Sequence, residues 1–215
     1  MDWGNVRLED DQVVLREKDL TLSTGLELAR RLRSDGLVVV TTRDTDAEAN
    51  PTNADLNGDG IVASPDDQSN SDELDDQQAR VNICNEAGAD LLVSIHYNGA
   101  ENMALEGFEV WYNDGRPFSD QSQRFATLVH QELAKELPAA GLDATDRGIG
   151  IEDHAVTGPA RPGKLVPSEM PGVVVEGLFL SNDDDAAFIQ TTGGEEAIVT
   201  AYERAIRAYF GASTG

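Results

Sequence analysis

VVVEGLFLSN, residues 173–182, decides the fold. Three consecutive β-branched residues read as a buried strand, and a carboxylate follows at once, where such a strand emerges from the core. Glu176 is therefore expected at the rim of a sheet. A second stretch repeats the design: in LLVSIHYN, residues 91–98, an apolar run delivers His96 to its end. In an open α/β sheet the ligand crevice lies outside the carboxyl ends of the parallel strands, so the two residues can meet there although 80 positions separate them. Taken alone, a histidine after a strand is more often structural, and a lone glutamate there often bonds a helix N-terminus. Together, in a chain with three histidines, they mark a candidate site.

Working outward, the flanking segments alternate between helix and strand. VRLEDDQVVLRE suggests a hairpin or extended loop around an acidic turn. Leu22, Leu26, Ala29 and Leu32 recur at helical spacing, and Gly36 closes that segment as a C-cap does. Glu17 stands just before this helix, where the helix dipole alone favours a carboxylate. LVVVTTR, residues 37–43, is the next expected buried strand, and QARVNICNEAGAD, residues 78–90, the next helix. FEVWY, residues 108–112, alternates like a half-exposed strand; a helix follows over 119–137; residues 141–172 read as irregular; a last amphipathic helix carries Ile198, Tyr202 and Ile206. The expectation is one α/β domain over 1–215, three-layered, with a mostly parallel or mixed central sheet flanked by helices.

Between Asp44 and Gln78 the apolar residues nearly vanish, so this reads as an inserted acidic loop. Within it DLNGDGIVASPD places Asp55, Asn57 and Asp59 at positions 1, 3 and 5 of a twelve-residue loop, with Gly60 at the sixth and Asp66 at the twelfth. Alternate oxygen donors, a glycine for the sharp turn and the Ile61 carbonyl are what a calcium ion requires. A solvated acidic turn is the plainer alternative. The spacing resembles the calcium loop of dockerin repeats.

Composition narrows the partners. A net charge of −24 argues against nucleic acid and against anionic lipid. No run of about 18 apolar residues occurs, so no membrane span is expected. The single cysteine, Cys84, rules out an internal disulfide. The N-terminus MDWGNVRLEDD has neither the basic nor the apolar region of a signal peptide.

In order, EKDLTLSTGLELARRL, VVVTTRDTD, RVNICNEAGADLLVSIHYN, EGFEVWY, DRGIG and VVVEGLFLSN resemble the zinc-dependent N-acetylmuramoyl-L-alanine amidases of the amidase 3 type. The resemblance implies a cell-wall hydrolase acting on peptidoglycan outside the cell, with Glu17 and His96 as zinc ligands and Glu176 as the catalytic base. That family opens on a strand ending in Asp-Pro-Gly-His-Gly-Gly, which supplies a further zinc histidine; no such motif precedes Glu17. The expectation is a chain that starts inside the loop after that strand, with His154 or His130 as alternative donors. Two other readings stay open: a wall-binding or regulatory module without chemistry, and a calcium-stabilised interaction domain.

Overall fold

The computed structural model describes residues 4–62, 71–159 and 165–211. Two short strands, β1 (Val6–Glu9) and β2 (Gln12–Arg16), form the antiparallel hairpin expected from the alternation. Asp10 and Asp11 take positive φ of 49° and 60° at its turn, which aspartate tolerates better than most residues. The hairpin leads without a break into helix α1 (Glu17–Ser34), making Glu17 its first residue. Leu28, Ala29 and Leu32 are buried on one side of α1, while Glu27 pairs with Arg30 and Arg31. Gly36, at φ 86°, ends the helix, and Leu37 N–H donates back to the Leu32 carbonyl.

Four strands make the central sheet: β3 (Leu92–Asn98), β4 (Phe108–Tyr112), β5 (Asp146–Ile151) and β6 (Gly172–Phe179), in the order β3-β6-β4-β5. The β3/β6 and β4/β5 pairs are parallel and β4/β6 antiparallel, so the sheet is mixed. Every residue of β6 except Glu176 is buried, as a central strand covered on both faces demands. Val173 and Val175 join the main core with Phe125, Val129 and Leu133 of α3 (Ser119–Ala139) and Ile198, Tyr202 and Ile206 of α5 (Thr192–Tyr209). Val174 and Glu176, at alternate positions, line a groove outside that cluster. Helices α2 (Ser71–Glu86) and α4 (Asp183–Ile189) complete the five that flank the sheet among the described residues, the three-layer α/β arrangement.

Several expectations are corrected. Residues 37–43 belong to no strand ladder among the described residues, although Leu37 and Val39 are half-buried and Val38 and Val40 exposed in strand-like alternation. They and β3 both line a groove of about 1670 Å³, and among the described residues no strand bonds them in a ladder. Helix α2 starts at Ser71, inside the stretch read as loop. Its Asp75 and Asp76 accept backbone N–H groups from Leu56, Asn57 and Asn50. β5 arises in a segment read as irregular, because glycines mask its strand character. A Cβ on Gly150 would lie 2.1 Å from the Trp111 ring, so only glycine lets the two strands approach there. Glu176 is not at the end of its strand: β6 runs three residues further, to Phe179.

Candidate active site

Strand β3 and the start of α1 bring two of the anticipated residues into contact. His96 Nδ1 lies 2.8 Å from Glu17 Oε1, an N–H donating to a carboxylate. That carboxylate also accepts from Tyr97 N–H at 3.2 Å and, through Oε2, from Asn5 N–H at 2.8 Å and the Asn5 side-chain amide at 3.1 Å. Gly4 closes over it: a Cβ there would stand 2.4 Å from Oε2, and its φ of 62° favours glycine. Burial works to raise the Glu17 pKa, but the bonds from His96, Asn5 and Tyr97 outweigh it and hold the carboxyl below its ordinary range. The same pair acts on His96, where the enclosing protein disfavours charge and Glu17 more than offsets it, so the imidazole sits above its ordinary value. Ser94 Oγ, 3.1 Å from Nε2, fixes the other side of the ring.

Two further contacts hold this arrangement to the fold. Tyr97 points into the core and its hydroxyl meets Thr24 Oγ1 of α1 at 2.8 Å, with burial pushing the phenol up to about 12. The Asn5 side chain donates to the Tyr97 carbonyl at 2.9 Å. Thus α1, β3 and the chain before β1 are pinned together where Glu17 and His96 meet.

Glu176 stands beside this pair, in register with His96 on the neighbouring parallel strand. Its Oε2 is buried and has no hydrogen-bond partner. Burial pushes this carboxyl up to about 7; nearby Glu17 and Glu109 push in the same direction, while His96 opposes them. One carboxylate is therefore held charged by donors, and its neighbour is poised to exchange a proton near neutrality.

The sequence reading missed two members of this neighbourhood. Glu109, opposite Glu176 on β4, accepts from Asn98 Nδ2 at 2.7 Å and from Arg147 Nε at 3.0 Å, and the Arg147 guanidinium lies 5.0 Å from the centre of the Phe179 ring. The alternation of FEVWY was the available signal, since it sets Glu109 apart from buried Phe108 and Val110. Asn5 carried no signal, because its role depends on the hairpin folding back onto β3.

The remaining candidates fall elsewhere. His154 lines the same groove as His96 and Glu176, its ring 5.9 Å from that of Trp111 and its buried Nε2 without a hydrogen-bond partner, 3.9 Å from Glu152 Oε2. His130 does not reach the site; it bonds Asp146 at 2.6 Å and packs against Phe108. In the acidic loop, Asp55 accepts from Gly58 and Gly60 N–H, Asn57 Oδ1 from Asp59 N–H, and Asp59 Oδ1 from Ile61 N–H. Asp66 lies outside the described residues.

Zinc, which the resemblance implies, takes three protein donors in an open catalytic site. His96 and Glu17 offer two, already facing each other across a hydrogen bond. Among the described residues no three His, Cys, Asp or Glu side chains are gathered to hold an ion. By themselves these residues do not fit a zinc site.

The profile of the N-acetylmuramoyl-L-alanine amidase family matches residues 1–208, nearly the whole chain, including every residue of the site above. The chain belongs to this amidase family. Among curated relatives it is 34% identical over 110 residues to the N-acetylmuramoyl-L-alanine amidase LytC of Bacillus subtilis, covering 51% of this chain and 19% of that protein. It is 22% identical over 197 residues to the germination-specific N-acetylmuramoyl-L-alanine amidase of the same organism, covering 91% of this chain and 71% of that one. The chain thus spans about a fifth of the first relative's length and less than three quarters of the second's. Among solved structures it superposes on the catalytic domain of CwlV, the amidase of Bacillus (Paenibacillus) polymyxa var. colistinus, with a TM-score of 0.71 at 24% identity, covering 99% of this chain and 93% of that one. At that identity the likeness speaks for an amidase fold. No helix among the described residues is long and apolar enough to cross a membrane.

Proposed function

We propose that this amidase-family domain hydrolyses the amide between N-acetylmuramic acid and L-alanine in peptidoglycan, outside the cell or in its wall. The observation that carries this reading is Glu176: a buried carboxyl poised at about 7, in register with His96 and facing an open groove. Such a group takes a proton from water as the oxygen attacks the amide carbon, then returns it to the leaving nitrogen. The His96–Glu17 pair beside it supplies a fixed, charged neighbour on the same rim. Glu17 and His96 remain the proposed zinc ligands, with a further donor required to complete the set. Substituting Glu176→Gln and counting newly freed L-alanine amino groups from purified peptidoglycan tests the assignment. A fall of about a hundredfold or more is expected for loss of a general base.

The incomplete donor set favours a second reading, a wall-binding module without chemistry. Sedimentation with peptidoglycan and no release of amines would mark it. For the acidic loop we propose calcium, with Asp55, Asn57, Asp59 and the Ile61 carbonyl as donors and Asp66 closing the set. Gly58 and Gly60 are left-handed, at φ 76° and 81°, and the tight turn they allow through Asp55, Asn57 and Asp59 supports this reading.

A further inference from the structure

Four chemical side chains form a row across the sheet. His96 on β3 is in register with Glu176 on β6, and Glu176 with Glu109 on β4. Register partners share a face of a sheet, so these three project to the side away from the helix-packed core. Arg147 of β5 reaches in from the far edge, its Nε 3.0 Å from Glu109 Oε2. The proposed hydrolysis uses His96 and Glu176 and leaves Glu109 and Arg147 without a task.

Arg147 is held in one orientation. Its guanidinium lies 5.0 Å from the centre of the buried Phe179 ring, a platform that fixes its plane. Glu109 takes the Nε–H and is itself held by Asn98 Nδ2 at 2.7 Å. Among the described residues the two terminal amino groups of Arg147 meet no acceptor, and the side chain is 30% exposed. An exposed ion pair alone contributes little to stability. A guanidinium stacked on a ring and anchored through Nε, however, presents its outer N–H groups as a rigid fork that matches a carboxylate. With 40 acidic residues against 16 basic, the rest of the surface repels anions, so an anionic ligand needs such a local cation.

We propose that Arg147 binds a free carboxylate of the stem peptide, setting substrate preference and the direction in which the peptide lies on the sheet. The proposal takes its substrate class from the amidase reading. Neighbouring strands lie about 4.8 Å apart, so β5 is roughly 10 Å from Glu176, and the Arg147 side chain leans back from there over Phe179 of β6. An extended peptide advances about 3.3 Å per residue, so the fork meets a carboxylate on roughly the first two or three residues beyond the scissile amide. The one carboxyl of N-acetylmuramic acid is consumed in that amide, so a carboxylate within reach belongs to the peptide. The peptide therefore runs from Glu176 across β4 toward β5, and the glycan leaves on the other side. Glu109 is a positioning residue, aiming the guanidinium through Nε.

Binding, not turnover, tests it. Two soluble N-acetylmuramoyl-L-alanyl peptides are compared, alike except that the residue after L-alanine carries a free carboxylate in one and a primary amide in the other. Calorimetry measures both against E176Q and against R147Q in the same background. E176Q should bind the carboxylate form about tenfold or more tighter, and the ratio should collapse to about one with R147Q. A merely structural role for Arg147 would weaken both ligands together and keep their ratio. R147K, which keeps the charge without the planar fork, should retain only part of the preference. Should R147Q fail to fold, the salt dependence of E176Q decides: the preference should shrink as salt rises, and a salt-independent one overturns the proposal. Equal affinity of E176Q for the two ligands, a preference that survives R147Q, or binding of neither ligand would also overturn it. Hydrolysis is not read, so failure here leaves the amidase reading standing, while a protein that discriminates the two ligands without cleaving peptidoglycan would sink that reading and keep the Arg147 site.

Discussion

His96 and Glu176 are register partners on adjacent parallel strands, and both face the groove rather than the helix-packed core. Neighbouring strands lie about 4.8 Å apart, so a one-residue slip of β3 would carry His96 to the opposite face of the sheet. The register is held by flanking features. Leu92 N–H bonds the Pro171 carbonyl below, Leu180 N–H bonds the Asn98 carbonyl above, and Tyr97 anchors in the core between them.

The raised pKa of Glu176 has a consequence for stability. A carboxyl whose folded pKa lies above its unfolded value favours the folded state only while it is protonated, and that advantage disappears as pH rises from about 4.5 through about 7. Replacing it by Gln removes the charge. In the metal-free protein, E176Q should match the parent near pH 4 and exceed it by up to roughly 3 kcal/mol above pH 8, from about 1.36 kcal/mol per pKa unit. Urea unfolding at the two pH values measures this. A variant less stable than the parent at pH 8 would show that the Glu176 charge is stabilised in the fold.

The core of the site was legible because both strands announce themselves: VVVEGLFLSN and LLVSIHYN are apolar runs interrupted by one chemical residue each. The face on which each residue lies follows from a period of two, whereas strand ends do not, so β6 outran the reading that placed Glu176 at its edge. Residues 37–43 carry a strand pattern but join no ladder among the described residues, since a ladder needs a neighbour and the neighbour is not encoded in that segment. Helix α2 begins in polar sequence because its carboxylates answer backbone donors of a loop up to 26 residues away, a tertiary fact. The Asn5 bonds to Glu17 and Tyr97 are illegible for the same reason.

Glu17 sets the charge state of His96. NMR titration of the metal-free protein should find His96 above the ordinary histidine value of about 6.5, and E17Q should lower it, because the largest contribution that opposes burial is then gone. The parent pair therefore contributes stability at pH 6 that is lost as pH rises through the His96 pKa. An unchanged His96 titration in E17Q would mean that the 2.8 Å contact carries no charge coupling.

Thr24 and Tyr97 pin α1 to β3 through a buried hydroxyl pair. T24V keeps the shape and removes the partner, so it should lose about 1–3 kcal/mol in denaturant unfolding. Y97F with T24V should recover part of that loss, since no buried hydroxyl is then left unpaired at this contact. A neutral T24V would indicate that the Tyr97 hydroxyl finds water instead.

Calcium at the acidic loop predicts a conditional effect. D55N with D59N should lower the melting temperature when millimolar calcium is present and leave it unchanged in chelator, as mass action requires of a ligand bound by the folded state. An equal calcium response in variant and parent would remove the site.

The central claim is that Glu176 accepts the proton in amide hydrolysis at this rim. Peptidoglycan is digested at saturating zinc by the parent protein and by E176Q, while freed L-alanine amino groups and bound zinc are counted. The account predicts clear release by the parent protein. It also predicts a loss of about a hundredfold or more in E176Q with zinc content unchanged. An E176Q variant that hydrolyses at the parent rate, or one that loses zinc together with activity, would contradict it.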